Sequence, residues 1–369
     1  MGNIEETGEV PAALRWLEPP AGPAVQLLDQ TRLPAEEVTL TCTDVPQLVD
    51  AIGRLVVRGA PLLGVAGAYG VALAAYRGDD VEAAAAAITA ARPTAVNLGW
   101  GVARALQSYR SAAGGQARVP GLESAAAAAL AEARAIADQD DAASAAIAGH
   151  GLALVPEGAR ILTHCNTGGL VSAGAGTAFA VILAAHRAGR LTRLWVDETR
   201  PLLQGARLTA WEAGRAGIPH SLLADSAAAS LLAAGQVDLV LTGADRIAAD
   251  GSVANKVGTY GLAVLARHHG VPFVVVAPAS TVDFGTPDRT AIPVEHRPAE
   301  EVTGLAGQPV APAGTPAYNP AFDVTPPEFV TALVTERGVI QPVTPGNLRV
   351  LEAGADAVAG PQAAVYVER

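Results

Sequence analysis

The chain has 369 residues, half of them hydrophobic and 17% charged, enough apolar side chain to bury a sizeable core spread over two domains. A formal net charge of −11 argues against the basic face of a nucleic-acid binder, while leaving room for a phosphorylated metabolite held by a few local donors. Two cysteines, Cys42 and Cys165, are too few for a disulfide framework or a cysteine-rich zinc site, and the acidic start MGNIEETGEV lacks the basic and apolar regions of a secretion signal, so a cytoplasmic location is expected.

Extended runs at 24–28 and 37–42 predict a small antiparallel sheet near the N-terminus. Asp44-Val45-Pro46 opens a helix over 47–57, and a second helix over 62–76 carries Gly64, Gly67 and Gly70 on one small-residue face suited to close packing. The uncharged run 59–76 nears the length of a membrane span, but its Gly and Ala content reads as a packed core helix, so no membrane association is expected. Arg58, beside the free N–H groups of a helix start, is a candidate anion ligand. Residues 81–136 are helical by composition, broken at Arg92-Pro93 and by a linker at 111–120, and 137–150 predicts a further helix. Pro156-Glu157-Gly158 reads as a hinge, giving an expected division into a sheet-plus-helical domain at 1–155 and a second domain at 156–369.

Beyond the hinge the pattern becomes a regular alternation. Strands are expected at 161–164, 193–196, 221–224, 237–242 and 273–277, with helices at 178–188, 203–216, 227–234 and 257–269 between them. Repeated βαβ units imply an α/β, Rossmann-like domain in which helices cover both faces of a parallel sheet. After Ser280 the chain is proline-rich, with one helix expected at 327–336.

The strand ends collect the rare polar residues: Cys165, Asn166 and Thr167 after the first, Asp197 and Glu198 after the second, Asp225 after the third, Asp245 after the fourth and Ser280 after the last. A thiol between a strand end and a helix N-terminus is favoured as thiolate, which marks Cys165 as functional, whereas Cys42 lies in an apolar strand and reads as inert. Of 25 Lys and Arg residues Lys256 is the only lysine, as though this position requires a compact ammonium rather than a guanidinium. The loop 172–177 has half of a dinucleotide fingerprint, but Phe179 replaces the third glycine, and no HExxH, Walker A or GxSxG pattern appears. The seven histidines lack metal-ligand spacing, and neighbours His268 and His269 are expected to diverge on a helix, so neither metal nor cofactor is expected. A carboxylic acid at Asp245 opposite a thiol at Cys165 suits proton movement between adjacent sugar carbons, an aldose–ketose isomerisation.

Eight stretches carry a resemblance that covers most of 27–342: LLDQTRLP (27–34), RGAPLLGVAGAYG (58–70), ARPTAVNL (91–98), THCNTGGL (163–170), VDETRPLLQGARLTAWE (196–212), TGADRIAADGSVANKVGTY (242–260), VAPASTVDFGTPD (276–288) and YNPAFDVTPPEFVTALVTERGVIQP (318–342). On these the chain resembles the methylthioribose-1-phosphate isomerases of methionine salvage, in the superfamily that includes regulatory subunits of the translation-initiation exchange factor. The resemblance implies Asp245 as proton donor and Cys165 as its catalytic partner. It implies Arg58, Gly59, Ala60, Arg92, Gln204, Asn255 and Lys256 as ligands of a small phosphorylated sugar, without cofactor, in a homodimer. Leu62-Leu63 and the stretch 169–172 depart from the usual family pattern near the pocket. Isomerases of 5-deoxyribose 1-phosphate or ribose 1,5-bisphosphate and a non-catalytic regulatory subunit therefore remain alternatives.

Overall fold

The computed structural model describes residues 10–92, 94–114, 125–305, 307–352 and 365–366. The chain divides into two compact units, one built from Val10–Ala145 and Thr167–Gly176, the other from Ala146–Asn166 and Thr177–Arg369.

In the first unit, β1 (Leu14–Leu17), β2 (Ala24–Leu28) and β3 (Thr39–Cys42) form the expected antiparallel sheet in the order β1-β2-β3. α1 (Val45–Gly53) starts where Asp44 caps it, its carboxylate accepting from the Gln47 amide at 2.9 Å, with proline in the first turn. α2 (Ala60–Arg77) is buried almost all round, as an apolar helix without a polar face must be. It packs with α3 (Val81–Ala91) and α4 (Val96–Ala113) over a core that includes Leu27, Leu48, Ile52, Leu63, Leu73, Ile88 and Leu98. The expected break near 136 does not occur: Ala125–Leu152 is one helix, α5, because its alanine-rich sequence offers no glycine or proline there. The expected linker at 111–120 lies largely outside the described residues, with α4 continuing to Ala113.

The second unit contains β4 (Ala159–Thr163), β5 (Leu191–Asp197), β6 (His220–Leu223), β7 (Leu239–Thr242) and β10 (Phe273–Val276), all parallel, with β8 (Arg246–Ala248) and β9 (Val253–Lys256) between the last two. Alternate residues serve opposite faces, as pleating requires. Ile161, Leu239, Leu241, Val274 and Val276 meet α6 (Ala178–Arg187) through Phe179, Val181 and Ile182. Leu162, Val240, Phe273 and Val275 meet α8 (Ala228–Ala233) and α9 (Thr259–His268) through Leu232, Leu262, Ala263 and Ala266. A smaller sheet joins β8 and β9 to β11 (Val282–Asp283) and β14 (Phe322–Thr325), and a two-stranded hairpin pairs β12 (Gly304–Leu305) with β13 (Gln308–Pro309).

One further sequence expectation is corrected, and the helix expected at 203–216 is borne out with a local departure. Residues 327–336 hold one tight turn at Pro327–Phe329 followed by the fully buried strand β15 (Ala332–Thr335), which extends the large sheet beside β10 and pairs antiparallel with β16 (Gly338–Ile340); β17 (Val365–Tyr366) is the outermost strand on that side. Short apolar runs fit either periodicity, and here the vacant edge of β10 decides. Between 203 and 216 the chain forms a π-helical turn, Gly205–Thr209, before α7 (Ala210–Arg215).

Close approach of α2 and α4 depends on Gly101, where an added Cβ would lie 2.0 Å from the carbonyl oxygen of Gly64. Gly101→Ala is expected to destabilise the protein by about 1–3 kcal/mol, read as a lower denaturation midpoint. Gly99→Ala on the same helix, where the nearest atom is Thr89 Cγ2 at 3.7 Å, should leave stability unchanged or raise it.

Candidate active site

The order of the parallel strands, β10-β7-β4-β5-β6, reverses direction between β4 and β7. Chain connections leave to opposite sides at such a point, and a crevice opens beyond the carboxyl ends of the two strands. Thr163 pairs with Leu241 across that junction, so Cys165, two residues beyond Thr163, and Asp245, three beyond Thr242, follow the two strands that flank it.

Cys165 is buried and left-handed, with φ of 63°. Its amide donates to Thr199 Oγ1 at 2.9 Å and its carbonyl accepts from Thr209 Oγ1 at 2.6 Å. Thr199 and Leu203 also have positive φ, 65° and 57°, so three of the four such non-glycine residues among those described lie in these two segments. Backbone held in this region costs about 1–3 kcal/mol per residue and persists where surrounding bonds enforce it. Asp225 provides one enforcement: its two carboxylate oxygens accept from the amides of Thr199 and Arg200, each at 2.7 Å. The π-helical turn provides another by delivering Thr209 to Cys165, and α7 contributes Glu212, which accepts from Asn166 Nδ2 at 2.5 Å.

The residue before the thiol, His164, is 1% exposed. Its Nε2 lies 2.8 Å from the Val257 carbonyl, which can only accept, and its Nδ1 lies 2.9 Å from Asp197 Oδ2. Nε2 therefore donates, and with Nδ1 donating to Asp197 the ring is an imidazolium paired with a carboxylate. Burial works against this charge, but the bond to Asp197 and the negative charges of Asp197 and Asp225 outweigh it, raising the imidazole above its ordinary range. Burial raises the Asp197 carboxyl as well, and the bond from His164 opposes this. His164, Asp197 and Asp225 present ligand atoms within 4.8 Å of one another. As a metal site this cluster is a poor fit, since both imidazole nitrogens and both Asp225 oxygens already serve hydrogen bonds.

On the other strand, Asp245 leads into a hairpin. β8 and β9 pair antiparallel, Arg246 against Ala254, and the Asp245 amide donates to the Ala254 carbonyl at 2.9 Å, which carries Asn255 and Lys256 back to the level of Asp245. Asn255 and Lys256 thus end β9, and the helix expected from 257 begins only at Thr259 as α9. Two nonlocal facts decide this, the pairing of β9 with β14 and the left-handed Gly258 (φ 107°), where a Cβ would meet the His164 ring at 2.7 Å. Lys256 is 8% exposed, its ammonium donating to the Ala321 carbonyl at 2.8 Å and lying 5.1 Å from the centre of the Phe322 ring. Asn255 donates to Thr259 Oγ1 at 2.9 Å. Asp323 accepts from the amides of Gly258 and Tyr260, tying down the start of α9, and burial raises its carboxyl above the usual range. Gln204 is buried with Oε1 lacking a donor among the described residues.

Arg58, Gly59, Ala60 and Arg92 belong to the other compact unit. There Gly59 (φ 92°) precedes the first turn of α2 and packs against Val171 so closely that a Cβ would overlap it at 2.2 Å. Arg58 is buried just before that helix start, and Arg92 follows the last turn of α3. Gln30 Nε2 donates to the Leu170 carbonyl at 2.6 Å, fastening the loop 167–176 within the same unit.

Sequence reasoning noted Asp197 and Asp225 at strand ends but missed His164, Thr199, Thr209 and Asp323. Adjacency to Cys165 was the available signal for His164; the threonines gave none. The rings of His268 and His269 do not diverge but meet edge to face at 4.8 Å, because His269 has already left the helix.

Residues 56–342 match the Initiation factor 2 subunit family. The chain is 52% identical over 334 residues to methylthioribose-1-phosphate isomerase of Pelotomaculum thermopropionicum, covering 88% of this chain and 90% of that one, and 48% identical over 340 residues to the corresponding protein of Chloroflexus aurantiacus, covering 90% and 96%. The crystal structure of 5-methylthioribose 1-phosphate isomerase from Pyrococcus horikoshii OT3 matches with a TM-score of 0.84 at 40% identity, over 95% of this chain and 98% of that one. That of translation initiation factor eIF-2B subunit delta from A. fulgidus matches with a TM-score of 0.78 at 39% identity, over 92% and 98%.

Cys42, fully buried in β3, has its thiol pushed up to about 11 by burial, reinforced by Asp44. It is protonated below that pH, so iodoacetamide at pH 8 should leave Cys42 unlabelled in the folded protein and modify it only after unfolding, as peptide mass spectrometry would show.

Proposed function

The chain belongs to the Initiation factor 2 subunit family and, within it, to the methylthioribose-1-phosphate isomerases, and on that premise we propose that it converts 5-methylthio-α-D-ribose 1-phosphate to 5-methylthio-D-ribulose 1-phosphate in methionine salvage. The observation that carries the chemistry is the pair of strand ends at the reversal of strand order, one bearing Cys165 and the other Asp245.

The reaction is an isomerisation in which atoms balance without a co-reactant. The bond from C1 to the ring oxygen breaks and that oxygen takes a proton; the hydrogen on C2 passes to C1, and the C2 hydroxyl gives up its proton to become the ketone. Asp245 acts as proton donor and Cys165 as its partner at the reacting carbons. Lys256 and Asn255, brought to the level of Asp245 by the hairpin, bind substrate oxygens. Gln204 Oε1, buried without a donor among the described residues, suits a sugar hydroxyl. Arg58, Gly59 and Ala60 at the start of α2, with Arg92, hold the phosphate, a role supported by the first-turn amides, which have no acceptor within a helix, and by the dipole of a helix N-terminus. No helix among the described residues is long and apolar enough to cross a membrane, and the expected setting is a homodimer in the cytoplasm.

Similarity to an initiation-factor subunit gives a second reading, a binding subunit without catalysis. Purified protein incubated separately with 5-methylthioribose 1-phosphate, 5-deoxyribose 1-phosphate and ribose 1,5-bisphosphate separates the cases. The first is expected to be turned over fastest, with Cys165→Ser and Asp245→Asn each lowering kcat by about 10²–10⁴-fold. Binding without turnover of any of the three would favour the regulatory subunit. Thr209→Val, which removes the donor to the Cys165 carbonyl, is expected to lower kcat about tenfold, the worth of one hydrogen bond, with Thr209→Ser close to the parent.

A further inference from the structure

We propose that His164 is a positioning residue for the reaction: its imidazole locks the end of β4, which carries Cys165, to the end of β5 through Asp197 and to the backbone after Lys256 through the Val257 carbonyl. This rests on the assignment of Cys165 and Asp245 as the catalytic pair.

Three features fix the role. The ring is buried, and both nitrogens are committed to acceptors, so it has no free position from which to exchange a proton with a ligand. Gly258 lies so close to the ring that an added Cβ would meet His164 Cε1 at 2.7 Å, so the ring's place is set against that backbone. The elements the ring joins are those that hold the proposed chemistry: Cys165 follows it directly, and Lys256 precedes the residue whose carbonyl it holds. A displacement of either by about 1 Å costs on the order of a hundredfold in rate. His164 thus acts through geometry rather than by touching the sugar.

The arrangement requires two donated hydrogens, which ties it to pH. The ionisable groups bearing on the ring are Asp197 at the end of β5, Asp225 after β6 and Asp323 on β14, with Lys256 bearing on Asp323 in turn. Because the imidazole is raised above its ordinary value, the lock is intact below that ordinary value and opens as pH rises through the raised one. Loss of the Nδ1 proton then sets a ring lone pair against the Asp197 carboxylate. Asp197→Asn removes this conflict: a neutral ring keeps Nε2–H on Val257, while Nδ1 accepts from the new amide.

The test compares kcat/KM against pH for the full chain and for His164→Phe, Asp197→Asn and Cys165→Ser, with 5-methylthioribose 1-phosphate as substrate. His164→Phe is expected to lose about a hundredfold. Asp197→Asn should keep at least about a tenth of the parent value at pH 7, because a preserved hydrogen-bond geometry limits the loss to about one bond, and its alkaline decline should move up by one pH unit or vanish. Parent-like activity in His164→Phe overturns the inference, as does an Asp197→Asn variant that is as impaired as His164→Phe or keeps the parent alkaline decline. If His164→Phe does not fold, the Asp197→Asn profile decides alone. Undiminished turnover by Cys165→Ser would instead remove the catalytic assignment; an inactive Cys165→Ser beside an unaffected His164→Phe removes only the role of His164.

Discussion

The parallel pairing of β4 with β7 is the constraint on which the site depends. These strands are separated by roughly 75 residues of chain, and their alignment, Thr163 beside Leu241, is fixed by hydrophobic faces that a slip of one residue would invert. Once they are adjacent, the chain leaving each must diverge, one towards β5 and the other into the β8–β9 hairpin. That divergence leaves the strand ends followed by Cys165 and Asp245 on either side of the point where the strand order reverses.

Beyond the strand ends the chain is held by polar bonds in a buried setting, which carries a cost. Desolvating a carboxylate, an imidazolium and an ammonium is unfavourable unless each is paired, and here each has a partner: Asp197 with His164, the Lys256 ammonium with the Ala321 carbonyl and the Phe322 ring, Asp225 with two amides. The positive φ of Cys165 and Thr199 is held by bonds of the same kind, from Cys165 to Thr199 and Thr209 and from Thr199 to Asp225. A backbone so constrained resists relaxation into a more comfortable shape, and this resistance holds the backbone of Cys165 in one orientation.

Much of this was legible in the sequence because local chemistry agreed with the global result. The alternation of strand and helix after Ala159, the buried uncharged α2 and the antiparallel β1–β3 sheet all follow from residue type and spacing. Cys165, Asp245 and Lys256 stood out because each sits at the end of an apolar run or is rare in the chain. The misread strands and the overlooked threonines share one cause. β9 and β15 are strands because distant partners, β14 and β10, offer them an edge, and no local pattern reports that. Thr199 and Thr209 matter through hydroxyl bonds to a backbone 34 and 44 residues away, and threonine is too common a residue to announce such a role.

The burial of Lys256 also bears on how the outside of the molecule can be modified. With the single lysine enclosed beside Phe322, the other 24 of the Lys and Arg residues are arginine, and the folded surface offers no lysine to acylating reagents, to reductive alkylation or to isopeptide-forming enzymes. Amine-directed coupling within the chain is thereby confined to one side chain, and any label found on Lys256 reports that the enclosure had opened.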